Sequence, residues 1–127
     1  DLHAVDHSAV PAAVFSNPQV ASVGLTEEQA EHQQVDVVIG RRMYGGTAYG
    51  WALDDTTSFA KVLVERVTER IVGAHIMGPQ ASTLIQPVIQ AMQFGQAAGD
   101  VARAPYWIHP ALTEVVENAL LDAVGQL

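Results

Sequence analysis

The amino-acid sequence predicts an α+β domain: an antiparallel sheet of about five strands with helices packed on one face. In the first 77 of the 127 residues, apolar side chains mainly recur at every second position, which is typical of strands. In the rest of the chain they mainly follow the i, i+4 spacing of a helix. Hydrophobic side chains make up 49% of the chain, which is enough for one core. Strands that precede helices, rather than alternating with them, favour an antiparallel sheet.

The first part of the chain contains short apolar segments bounded by proline, glycine or polar residues. The predicted extended segments are 12–15, 20–23 and 35–39, with a turn at 16–18 and a loop or bulged strand at the glycine-rich stretch 40–50. Thr26 and Gln29 have the spacing of a capping box, which predicts a short helix that ends near His32.

The clearest strand signal is a hairpin between Ser58 and Met77, with a polar turn at 66–69. Alternation predicts that Ala60, Val62 and Val64 share one face of the first strand. It likewise places Val72, Ala74 and Ile76 on one face of the second strand.

Helical spacing begins after Gly78-Pro79. One apolar helix face runs from Leu84 to Met92, and Pro87 within it predicts either a kink or a late start. Gly95 suits its C-terminal cap, and a short helix is predicted at 99–102.

Pro110 fits the first position of a last helix, which Gly125 ends. The apolar stripe of that helix contains Leu112, Val115, Val116, Ala119 and Leu120. Both long helices are candidates for a twofold interface between two copies of the chain.

Composition excludes several functions. The net charge is −8, which disfavours nucleic acids and anionic membrane surfaces. The chain has no cysteine, so it cannot contain disulfides, a thiolate zinc site or a cysteine nucleophile. No signal peptide or spanning segment is recognisable, which predicts a soluble, cytoplasmic domain.

The sequence contains no Gly-x-Gly-x-x-Gly or Walker motif, so we expect the chain alone to bind no nucleotide cofactor. Residues 1–9 read as the tail of a preceding FAD domain or a linker, and 10–127 as one domain. The missing initiator methionine is consistent with a fragment of a longer protein.

Four of the five histidines have structural explanations. His3 and His7 would align on a helix, but two ligands without a third make a poor metal site, and no metal is predicted. His32 suits the end of a helix dipole, and His75 lies within a strand of the hairpin.

His109 has a different context. It precedes Pro110, which keeps it out of helical geometry, and Glu114 follows five residues later. A carboxylate accepting from one imidazole nitrogen would orient the ring and leave the other nitrogen for proton transfer. Spacing alone favours a structural interpretation, in which His109 caps a helix and Glu114 is a surface residue, and Glu117 is a competing partner. Tyr106 and Trp107 are predicted to pack in the core or to line a cleft.

Two long motifs resemble the glutathione reductase family of pyridine nucleotide-disulfide oxidoreductases. One is the segment 107–114, which contains His-Pro-x-x-x-Glu, and the other is the opening segment 10–27. Three further segments resemble one branch of the family more than glutathione reductases or dihydrolipoamide dehydrogenases: 49–53, 76–87 and 106–120. The resemblance covers nearly the whole chain.

The resemblance implies the C-terminal dimerisation domain of a homodimeric reductase that uses FAD and NADPH and acts on the disulfide of a low-molecular-weight thiol. His109 would be the acid–base residue, supplied to the dithiol and flavin site of the partner subunit, and Glu114 would orient it. His109 and Pro110 would approach the partner's flavin. The cysteine pair, the FAD domain and the NADPH domain of the family are missing from this sequence, so the isolated chain is predicted to be inactive. The alternatives are a domain of a related reductase, of the glutathione, dihydrolipoamide or mercuric type, and a non-catalytic homodimerisation module.

Overall fold

The computed structural model describes residues 9–127 together with Ala4 and His7. The strands are β1 (Ala12–Val14), β2 (Val20–Gly24), β3 (Val37–Met43), β4 (Phe59–Glu65) and β5 (Ile71–Met77). The helices are α1 (Glu27–His32), α2 (Ala48–Ala52), α3 (Ala81–Leu84), α4 (Gln86–Gln93), α5 (Ala98–Arg103) and α6 (Glu114–Val124). The predicted lead-in at 1–9, including His3, falls largely outside the described residues.

The strands form one antiparallel sheet in the order β1-β2-β5-β4-β3. The predicted hairpin is present as β4 and β5, which pair with each other in the middle of this order. The five-stranded α+β architecture is therefore confirmed. Among the described helices, none is long and apolar enough to cross a membrane.

The core lies between one face of the sheet and helices α3, α4 and α6. Ala60, Val62 and Val64 of β4 face these helices and are almost completely buried. Gly40 in β3 lets α6 approach closely, because a Cβ atom there would lie 2.0 Å from the carbonyl oxygen of Ala119. The last helix therefore rests against the backbone of the sheet.

The predicted core face of β5 is wrong at one position. The pairing with β4 shifts between Leu63 and Val64, so that Val64 lies opposite Ile71 and Val72 is left out of the ladder. Ile71 is buried and Val72 is only partly so. The carbonyl of Val72 instead accepts a hydrogen bond from the backbone N–H of Leu25 at 2.8 Å, a bulge that simple alternation cannot anticipate.

The prediction that helices lie on one face only is also wrong, because α1 lies across the other face. Glu27 of α1 pairs with Lys61 at 2.6 Å and with Arg41 at 2.8 Å, and both cations lie on that face. The capping box that begins α1 at Thr26 is present as predicted. Beside α1, a cross-strand row of apolar residues spans all five strands: Val14, Val20, Met77, Phe59 and Met43.

The region 40–50 is more regular than its glycine content predicts. Strand β3 begins two residues later than expected and continues to Met43, and a 3₁₀ turn (Tyr44–Gly46) and α2 follow. Tyr44 is fully buried and its hydroxyl donates to the carbonyl of Pro79 at 3.0 Å. The glycines serve close packing here, since a Cβ at Gly50 would lie 1.9 Å from the carbonyl oxygen of Tyr44.

Two proline predictions have different outcomes. The helix after Gly78 is divided at Ile85, and Pro87 lies in the first turn of α4, which matches the late start. Pro110, by contrast, is not the first residue of the last helix, because α6 begins at Glu114 and residues 109–113 form bends and turns. Gly125 ends α6 as predicted.

The apolar faces of α4 and α6 are used mainly inside the chain. Val88 of α4 and the stripe of α6 are buried in the core. An interface that used these helices would therefore involve their other faces.

Candidate functional site: the His109–Glu114 pair

The candidate site lies where a surface segment meets the start of α6. Residues 103–110 are exposed except Trp107, and the chain re-enters the core at Leu112, which is 5% exposed. The peptide bond between His109 and Pro110 is cis. The first turn of α6 brings Glu114 back toward His109.

His109 and Glu114 form a direct pair. The Nδ1 atom of His109 lies 2.8 Å from Oε1 of Glu114. The histidine side chain is 68% exposed, whereas that of Glu114 is only 15% exposed. The Nε2 atom of His109 has no hydrogen-bond partner within the described residues. One nitrogen is thus held by a carboxylate and the other is open to a group outside the chain.

Glu114 is itself fixed by the backbone around it. Its Oε2 atom accepts from the backbone N–H of Ala111 at 3.2 Å. The side chain of Asn118, one turn later in α6, donates to the backbone carbonyl of Glu114 at 2.7 Å. The first contact holds the carboxylate that orients the imidazole, and the second ties the backbone of Glu114 to the next turn of α6.

The electrostatics of the pair favour an ionised Glu114. The hydrogen bond from His109 is the largest influence and lowers the pKa of Glu114, burial opposes it, and the N–H of Ala111 lowers it further. Burial, followed by the negative charge of Glu114, raises the pKa of Glu117. The 2.8 Å contact with Nδ1 of His109 identifies Glu114, and not Glu117, as the paired carboxylate.

This arrangement suits acid–base chemistry. A carboxylate that accepts from Nδ1 fixes the tautomer that presents Nε2 as a base, and it stabilises the imidazolium that forms when Nε2 takes a proton. Any proton exchanged at Nε2 would pass to or from a group outside the described residues, because this nitrogen has no partner among them and the side chain is 68% exposed.

Of the other described histidines, His75 has a side-chain contact within the domain, whereas His7 and His32 are exposed. Nε2 of His75 lies 2.9 Å from the carbonyl oxygen of Leu25, on the face covered by α1. His32 lies in the last turn of α1, as its place in the sequence predicts. Within the described part of the chain, no group of three or more His, Asp or Glu side chains could hold a metal ion.

The two aromatic residues before His109 differ from each other. Tyr106 does not pack in the core, since it is fully exposed. Trp107 is half-buried against the core, and its indole N–H donates to the carbonyl of Ala102 at 3.0 Å. Both line a groove of about 470 Å³ beside α4 and α5.

Sequence reasoning missed the support of Glu114. The N–H of Ala111 and the side chain of Asn118 were not predicted to take part. The spacing gave a signal for both, since Ala111 and Asn118 lie three residues before and four residues after Glu114. A glutamate that reaches back three residues to a backbone N–H is half of a capping box.

Fold and site together define a class of protein. The family model of the pyridine nucleotide-disulphide oxidoreductase dimerisation domain matches residues 10–120. The chain belongs to this family.

Within the family, mycothione reductase of Mycobacterium tuberculosis is 60% identical over 116 residues, which are 91% of this chain and 25% of that protein. Dihydrolipoyl dehydrogenase of Geobacillus stearothermophilus is 38% identical over 122 residues, 96% of this chain and 26% of that protein. The chain thus spans about a quarter of the length of these curated relatives.

Solved structures agree with the fold. The crystal structure of LpdA from Mycobacterium tuberculosis matches 95% of this chain and 26% of its own, with a TM-score of 0.87 and 22% identity, which supports the fold alone. The HOCl-induced flavoprotein disulfide reductase RclA from Escherichia coli matches 94% of this chain and 26% of its own, with a TM-score of 0.81 and 26% identity.

Proposed function

We propose that residues 10–127 are the C-terminal dimerisation domain of a cytoplasmic, NADPH-dependent flavoprotein disulfide reductase that resembles mycothione reductase. In this proposal, residues 1–9 are the tail of a preceding FAD domain or a linker to it. The domain supplies His109 as the acid–base residue to the dithiol and flavin site of the partner subunit. The observation that carries the proposal is the geometry of His109, with Nδ1 held by Glu114 and Nε2 exposed.

The reaction needs a proton carrier next to sulfur. Thiol–disulfide exchange requires a thiolate as attacking group and a protonated leaving group. In the proposed reaction, Nε2 of His109 takes the proton of the attacking thiol and returns it to the leaving thiolate, so that no net proton remains on the histidine. Glu114 stays ionised throughout and stabilises the imidazolium between the two steps.

The cofactors would be bound outside these residues. The described part of the chain is an antiparallel sheet without a parallel βαβ unit to cradle a dinucleotide. FAD and NADPH, bound by the other domains, supply the electrons that reduce the disulfide. Because His109 and Pro110 are exposed at the surface, they can contact a flavin held by a second subunit.

The proposed substrate class follows from the relatives. The identity of 60% to mycothione reductase supports mycothione, the disulfide of the low-molecular-weight thiol mycothiol. The identity of 38% to a dihydrolipoyl dehydrogenase supports lipoamide as the alternative substrate. Turnover of the full-length protein with each disulfide separates the two.

The role of His109 can be tested with His109→Gln in the full-length reductase. Flavin reduction by NADPH should keep its rate, while disulfide turnover should fall by about 10²- to 10⁴-fold, the usual contribution of a general acid–base residue. Stopped-flow absorbance of the flavin and steady-state turnover measure the two half-reactions. His32→Gln, an exposed histidine at the end of α1, is the matched control and should leave both rates unchanged. Unchanged disulfide turnover in His109→Gln would refute the assignment.

A further inference from the structure

The segment that carries His109 has very little support from its own side chains. Between residues 104 and 110, all of which the structure describes, every residue except Trp107 is exposed. Tyr106 and Ile108, which flank Trp107, are 103% and 73% exposed. Side-chain packing can therefore hold this segment in place through Trp107 alone.

Trp107 has two attachments to the body of the domain. Its ring packs against the buried core. Its indole N–H donates at 3.0 Å to the carbonyl of Ala102, which lies in the last turn of α5. Carbonyls in the last turn of a helix have no partner within the helix, so this bond satisfies a group that is otherwise unpaired.

The distance along the chain makes this anchor relevant to the site. His109 lies two residues after Trp107, and a residue spans at most about 3.5 Å. On its other side, the next buried residue is Leu112. The bond to Glu114 orients the imidazole ring, whereas Trp107 and Leu112 determine where the backbone of His109 lies.

We infer that Trp107 is a positioning residue for the acid–base histidine: its indole ties residues 104–110 to α5 and thereby fixes the location of Nε2 of His109. The inference rests on the proposed function of His109. It extends that function to a residue that touches neither the reacting proton nor Glu114.

The first test needs no substitution, because the chain has two tryptophans in contrasting environments. The indole N–H of Trp107 is hydrogen-bonded, whereas Trp51 is 75% exposed. Hydrogen exchange of the two indole N–H groups, followed by NMR on this chain, should show Trp107 protected by at least about tenfold relative to Trp51. Equal exchange rates would refute the anchor.

The second test is a double-mutant cycle in the full-length reductase. Trp107→Phe keeps an aromatic ring for packing but removes the N–H donor. It should lower disulfide turnover by about tenfold and change flavin reduction by NADPH by less than twofold, since a small misplacement of a catalytic group costs rate in the step it serves. In the His109→Gln background, the same substitution should have no further effect. Tyr106→Phe, at the exposed neighbouring residue, is the control and should retain full turnover.

The possible results distinguish this inference from the proposed function. If His109→Gln slows turnover and Trp107→Phe does not, the proposed function stands and the positioning role is wrong. If Trp107→Phe slows turnover equally in both backgrounds, its effect does not act through His109 and the inference is again wrong. If His109→Gln has no effect, both fail.

Discussion

His109 and Glu114 differ in exposure, and that difference supports the roles proposed for them. The histidine extends into solvent while the carboxylate lies mostly buried beneath it, held by the N–H of Ala111. The sequence shows both residues, but their spacing alone does not favour a direct pair. A spacing of five residues also fits a histidine that caps a helix and a glutamate on the surface. Only the turn at 111–113, which brings the first residue of α6 back toward His109, distinguishes Glu114 from Glu117.

Replacement of Glu114 should show a defined pH dependence of stability. The pKa of Glu114 is lowered in the folded state, so its ionised form contributes stability above the ordinary value of 4.5 and loses it as the pH falls through the lower folded value. Glu114→Gln should therefore reduce the free energy of unfolding by about 1 kcal/mol at pH 7, a modest value because His109 is largely exposed. The difference from wild type should shrink as the pH falls below 4.5.

Urea denaturation of both proteins between pH 7 and pH 2 measures this difference. Glu31→Gln provides the control, because the side chain of Glu31 is exposed in α1 and forms no hydrogen bond or ion pair among the described residues. A Glu114→Gln difference that stayed constant over the whole pH range would show that the carboxylate charge contributes nothing.

At the level of elements, the packing of α6 on β3 places the start of α6 and therefore Glu114. Gly40 makes this packing possible, since an added Cβ would lie 2.0 Å from the carbonyl oxygen of Ala119 and 2.6 Å from the backbone nitrogen of Ala123. Backbone atoms cannot move aside as a flexible side chain can. The helix would have to shift away from the sheet.

We expect Gly40→Ala to lower the free energy of unfolding by about 2–3 kcal/mol, as overpacking of a core does. Thermal and urea denaturation measure the loss. Gly125→Ala, at the end of the same helix, is the matched control: an added Cβ there lies 3.5 Å from its nearest neighbour, at φ −67°. A Gly40→Ala protein as stable as Gly125→Ala would mean that α6 does not lie this close to β3.

The elements that could be predicted from the sequence were those whose signal is local. The β4–β5 hairpin has clear alternation, and the Thr26 capping box needs only four residues. The stretch 40–50 was misjudged because its glycines serve contacts between distant backbones, which a local pattern does not reveal. Pro110 was misplaced for a similar reason: it suits the first turn of a helix, but here it belongs to the segment that presents His109.

At the level of the whole molecule, the described residues orient a histidine but contain no thiol with which it could exchange a proton. The chain has no cysteine, and Nε2 of His109 has no hydrogen-bond partner among the described residues. Membership in a dimerisation-domain family supports a second subunit as the source of the dithiol. The proposed activity would then exist only across a subunit boundary.

Hybrid dimers of the full-length reductase test this arrangement most directly. One subunit carries His109→Gln with its cysteine pair intact, and the other keeps His109 with its cysteine pair replaced by serine. If the histidine serves the partner subunit, one of the two sites in the hybrid is complete, and the purified hybrid should have about half of the wild-type disulfide turnover. If each histidine serves its own subunit, neither site is complete, and the hybrid would be no more active than the two mutant homodimers.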